Sequence, residues 1–135
     1  MITSLEAVGI LYNYVRTSEL MTGPQKPSGS LYKFKRPFNS DKEDVVINSL
    51  PMNSEDLQEG VLNFNIHVPN IGTGDSSQPN TARLGVLTKA ARELLNEVWH
   101  EKADYMFYVQ QDMTYQDNDQ SWYQNIRVGF RNVNI

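Results

Sequence analysis

From Leu62 to Val68 the chain reads LNFNIHV, with apolar and polar residues alternating without a break until Pro69. Successive side chains of an extended strand point to opposite faces of its sheet. The pattern therefore puts Leu62, Phe64, Ile66 and Val68 on a dry side and Asn63, Asn65 and His67 on a wet side. A helix cannot gather residues of that period onto one face. A strand with one dry and one wet face belongs to an antiparallel sheet that helices cover on a single side. This segment sets the class of fold open to the rest of the chain.

The flanking segments supply the helices. Thr3 and Glu6 stand at capping-box spacing, where a hydroxyl and a carboxylate each satisfy a backbone N–H left unpaired by the first helical turn. Leu5, Val8, Leu11, Tyr12 and Val15 recur behind them at helical spacing, and Gly23, Pro24 and Pro27 end that segment. After the glycine- and serine-rich stretch Ile71 to Gln78, Asn80 or Thr81 caps a second helix with the stripe Leu84, Leu87, Ala91, Leu94, Leu95 and Val98.

Further strands complete the sheet. SLYKFKRP predicts a strand with Tyr32 and Phe34 on one face and Lys33 and Lys35 on the other, and VVINSLPM a second. NSEDLQEG reads as a connection with room for one helical turn capped by Asn53 or Ser54. YMFYVQQDMTY and WYQNIRVGFRNV predict two closing strands around the turn QDNDQ, with Trp122, Ile126, Val128 and Phe130 on one face and Arg127 and Arg131 opposite. The expected fold is α+β: a mostly antiparallel sheet of about five strands with two helices on one face, in the order α-β-β-β-α-β-β. The terminal strand is expected to leave an open edge that another chain can cover.

At 135 residues the whole chain, 1–135, fits one domain. A net charge of −4 argues against a general nucleic-acid binder, whose footprint is basic. The absence of cysteine removes disulfides, thiolate zinc sites and cysteine nucleophiles. Glu6 stands where a signal peptide carries basic residues, and no apolar run nears the ~18 residues that span a bilayer, so a membrane partner is not expected.

The loop after the alternating strand is the natural place to look for chemistry. A phosphate-binding loop needs Gly-Lys-Ser/Thr at the helix mouth, and here Pro79, Asn80 and Thr81 stand there without a lysine. A dinucleotide fingerprint needs a third glycine where Ser77 sits. Ser76, in GDS, could act as a nucleophile only with a histidine base that is itself oriented, and neither His67 nor His100 has the spacing for it. Two separated histidines and scattered acids make no metal cluster, and DNDQ lacks the glycine and closing glutamate of a calcium loop. Lys33, Lys35 and Arg36 among Tyr32 and Phe34 imitate a nucleic-acid surface, but read more simply as the wet side of a strand. No catalytic, cofactor or metal residues are expected.

GVLNFNIHVPN, the glycine-rich loop and TARLGVLTKAARELL together resemble the bacteriophage tail-terminator or tail-completion proteins. The shared features are a strand closing in a hydrophobic-Val-Pro triplet (His67, Val68 and Pro69 here), a variable loop and a long apolar helix, with the two final strands in keeping. The resemblance implies a structural virion protein, made in the host cytoplasm. It forms a ring, usually a hexamer, at the head-proximal end of the tail. Its implied partners are further copies of itself, the tail tube protein and the neck or portal proteins. No specific nucleic acid is implied, although viral DNA passes through such a ring. The candidate assembly interface is Asn63, Asn65 and His67, the loop residues Gly72, Gly74, Asp75, Ser76 and Ser77, and Arg127 and Arg131. That loop carries too little apolar surface to offset its ordering entropy, and is expected to be ordered by a neighbour. The alternatives are another head–tail connector or head-closure adaptor and, from a different class, a small serine hydrolase using Ser76.

Overall fold

The computed structural model describes residues 2–72 and 77–133. The first helix, α1 (Ser4–Arg16), opens on the expected capping box: Glu6 N–H donates to Thr3 Oγ1 at 3.0 Å, and Thr3 N–H donates to the Glu6 carboxylate at 3.3 Å. Its buried face is Ala7, Val8, Leu11 and Val15. Leu5, expected there, is 64% exposed, because the stripe advances to Ala7 one turn before Leu11. The helix also ends early. Ser18 donates its hydroxyl to the Val15 carbonyl, and a second short helix, α2 (Glu19–Thr22), carries the chain on to Gly23.

Six strands follow among the described residues, where about five were expected: β1 (Leu31–Lys33), β2 (Asp44–Ser49), β3 (Leu57–Val68), β4 (Val98–Trp99), β5 (Tyr105–Gln116) and β6 (Trp122–Val133). The long helix α3 (Thr81–Leu95) stands between β3 and β4, capped by the Asn80 side chain. In space the strand order is β1-β2-β3-β6-β5-β4, with all pairings antiparallel except β1 with β2. The expected α+β class is thus the observed one.

Several expectations are corrected. Tyr32 was expected on the dry face, but Leu31 is the buried residue of β1 and Lys33 holds its ammonium 4.9 Å from the Tyr12 ring of α1, so the strand's two faces are exchanged. Phe34 leaves the strand at a positive φ of 67° and is half exposed. β3 starts at Leu57 and absorbs the end of the expected connection, because it pairs with β6 along its full length. Val98 is not helical: Glu97, at φ 54°, turns the chain back so that Val98 and Trp99 pair with Phe107 and Met106. The closing strand β6 is not an edge; it lies between β3 and β5.

One hydrophobic core fills the space between helices and sheet. From α3 come Leu84, Leu87, Ala91 and Leu95, and from α1 Val8 and Leu11. The sheet supplies the alternate residues Leu62, Phe64, Ile66 and Val68 of β3 and Ile126, Val128 and Phe130 of β6, as their periodicity requires. Among the described residues no helix covers their other faces. Two polar fastenings close the periphery. Gln58, 2% exposed, donates to the carbonyls of Ile2 and Asn53 and accepts from Ile2 N–H and the Asn132 amide. Arg83 of α3 makes a two-pronged pair with Glu43 at 2.8 and 3.0 Å and also donates to the Gln25 and Lys26 carbonyls, pinning the 23–30 loop.

Candidate assembly surface

The face of the sheet without helices presents odd-numbered residues of β3 beside odd-numbered residues of β6. Asn63 stands opposite Arg127, Asn65 opposite Asn125 and His67 opposite Tyr123. On the other flank Asn63 faces Asn48 of β2. The amides form a ladder across three strands: Asn63 donates to Asn48 Oδ1 at 2.8 Å, and Asn125 Nδ2 lies 2.7 Å from Asn65 Oδ1 and 3.2 Å from Asn63 Oδ1. Such cross-strand pairs support register on a face that no helix covers among the described residues.

The ladder is framed by aromatic residues. Tyr123 stacks at 5.8 Å on Tyr115 of β5 and lies tilted against the His67 ring at 5.0 Å. Toward the other end the Tyr108 ring covers Gly129, where an added Cβ would fall 2.2 Å from it, and Arg131 lies 5.1 Å over the same ring. Arg131 also approaches Glu59 at 3.7 Å.

His67 ends the row under the 34–40 loop and the β5–β6 turn, in a cleft of about 480 Å³. Its Nδ1 is buried and has no hydrogen-bond partner among the described residues, with the nearest carboxylate oxygen, on Asp117, 3.9 Å away. Burial, with the Arg36 charge adding to it, pushes its pKa down to about 4, so the imidazole is neutral near pH 7. Arg36 is held by Asp44 and Asp119, each at 3.5 Å. A neutral ring locked under a turn is a packing element here. Among the described residues no group of three or more His, Asp or Glu is arranged to hold a metal ion.

The predicted site residues therefore divide. Asn63, Asn65, His67, Arg127 and Arg131 share the helix-free face, as their alternation implied. Of the loop residues, Ser77 is placed on the other side. Ser77 offers its carbonyl to the Trp122 indole at 2.6 Å, and Trp122 belongs to the dry side with Ile126 and Val128. Ile71 N–H closes the base of the loop on the Gln78 carbonyl at 3.1 Å, with Gly72 just beyond it. Gly74, Asp75 and Ser76 lie outside the described residues. The reading from sequence missed Asn48 and Asn125, which complete the ladder. Asn125 is two residues from Arg127, so its face was legible, but its partners depend on strand order.

No helix among the described residues is long and apolar enough to cross a membrane. Compared with known proteins, the chain matches no family model and no curated sequence.

Proposed function

We propose that this chain is a structural subunit of the phage tail-terminator or tail-completion kind, working as a ring at the head-proximal end of a tail and contacting the tube below and the neck or portal above. The observation that carries the reading is the asymmetry of the sheet. One face is sealed by α1 and α3 over an apolar core. The other is rich in amides, arginines and tyrosines, with Val46 and Val61 among them and the 34–40 loop over its His67 end. A polar face stiffened by its own cross-strand hydrogen bonds suits contact with other subunits or a water-filled lumen. The sequence resemblance supplies the particular assembly.

Native mass spectrometry of the purified chain, alone and with tail tube protein, tests this. The expected result is a closed oligomer with one dominant stoichiometry, visible as rings by electron microscopy. A strict monomer at every concentration and with every tail protein would sink the reading.

A further inference from the structure

The outer edge of β5 is open along most of its length. β4 covers it only at Met106 and Phe107, so Tyr108 to Gln116 borders β6 on one side and no strand on the other among the described residues. Beside that open edge runs α3. Between the two lies a groove of about 610 Å³, walled by Gly85, Thr88 and Arg92 of the helix and floored by Val109, Asp112 and Thr114 of the strand.

Each feature of the groove asks for the same occupant. An open edge presents backbone N–H and C=O groups at strand spacing, which another extended backbone matches. Gly85 leaves the helix wall recessed, since nothing lies within 4 Å of where its Cβ would be. Thr88 and Thr81 line the helix wall beside it with short side chains. The bulge between Val109 and Gln111 turns Asp112 toward α3, where Arg92 and Gln124 hold it.

The chemistry of the occupant follows from the lining. Lys89 and Arg92 balance Glu93 and Asp112, so the groove selects neither sign of charge. Positions of an added strand that face α3 meet threonines and the Gly85 recess, and suit small hydroxyl residues. Alternate positions fall beside Met113 and Tyr115 on the helix-free side, which are 56% and 37% exposed, and suit apolar residues. A second copy could reach the groove only through its own β5 edge, since β1, at the other end of the sheet order, is only three residues long, and that pairing is the rival outcome of the test below. We propose that the α3–β5 groove docks an extended, uncharged segment of a partner polypeptide, which adds to β5 as a further strand. The inference stands whether or not the chain forms rings.

The probe is a fluorescein-labelled peptide of about nine residues alternating threonine and valine, long enough to span the open edge. Its control is the same peptide N-methylated at every second amide, which removes donors without changing side chains. Fluorescence anisotropy should show saturable binding of the first and none of the second, and hydrogen exchange should slow at residues 109–116 of β5. Gly85→Trp, which fills the recess, should weaken binding by at least about tenfold with an unchanged melting temperature. Gly85→Leu takes its place if the larger side chain disturbs the fold. The proposal is overturned by absent binding, or by binding that survives a folded Gly85 variant. It is equally overturned if the chain alone self-associates and protects the same amides, which would give the edge to a second copy.

Discussion

A neutral imidazole is cheaper to bury than a charged one, and His67 is buried with Nδ1 unpartnered and its pKa depressed from 6.5 to about 4. The unfolded chain therefore takes up a proton first as pH falls. Stability is complete above about 6.5, declines between 6.5 and 4, and its loss is full below 4. The shift corresponds to roughly 3 kcal/mol across that window. Glu43 acts lower on the scale. The Arg83 hydrogen bond holds its pKa below the ordinary 4.5, so its contribution is present above that value and lost as pH falls through the depressed one. Urea unfolding at pH 7 and pH 5 separates the two groups: wild type should lose stability over that interval and His67→Gln should lose much less. Equal losses would assign the acid response to another group. A second residue-scale test concerns Gly29, where an added Cβ would stand 2.4 Å from the Glu43 carbonyl oxygen and 2.0 Å from Asp44 Oδ1. The carbonyl belongs to backbone and cannot swing aside. Gly29→Ala should cost about 1–3 kcal/mol, read as a lowered melting temperature.

Elements whose signals are local were legible in the sequence. The α1 start followed from Thr3 and Glu6, the α3 cap from Asn80, and the faces of β3 from the alternation of Leu62 to Val68. What escaped was decided by distant partners or by single backbone angles. The faces of β1 are set by its pairing with β2, since three residues carry almost no period of their own. β4 exists because Glu97 adopts a positive φ, which a glutamate does not announce. The bulge at Gln110 exchanges the faces of β5 midway, so no single alternation describes that strand. β6 was expected at an edge because it comes last in the chain, yet order along a chain does not give order across a sheet. The helix stripes permit a paired test. Leu87 is 1% exposed in α3, and Leu87→Ala should cost about 2–5 kcal/mol. Leu5, 64% exposed at the start of α1, should tolerate Leu5→Ala within about 0.5 kcal/mol. Thermal or urea unfolding reads both, and similar values for the two would show that the core boundary is misplaced.

At the scale of the molecule, one face of the sheet is buried against the helices, and the proposed function gives the other, largely polar face to contacts with other molecules. Substitutions at its less buried positions, unlike the buried His67 and Asn125, should then act mainly on assembly. Arg127 is half-buried on β6, opposite Asn63 and beside the amide ladder, and contributes no side chain to the hydrophobic core. Under the proposed function, reversing its charge with Arg127→Glu repeats the change at every subunit contact, so a modest effect at one contact recurs at each. The expected outcome is a melting temperature close to wild type together with each subunit contact weakened at least about tenfold, equivalent to about 1.4 kcal/mol per contact. Arg16→Glu is the control. It lies on the exposed side of α1, away from the amide ladder, and should leave both folding and assembly largely intact. Sedimentation velocity across a concentration series reads assembly, and calorimetry on the same samples reads folding. If Arg127→Glu assembles like wild type while Arg16→Glu does not, the contacts lie on the helix side, and the polar face would have to be reassigned to the lumen or to solvent.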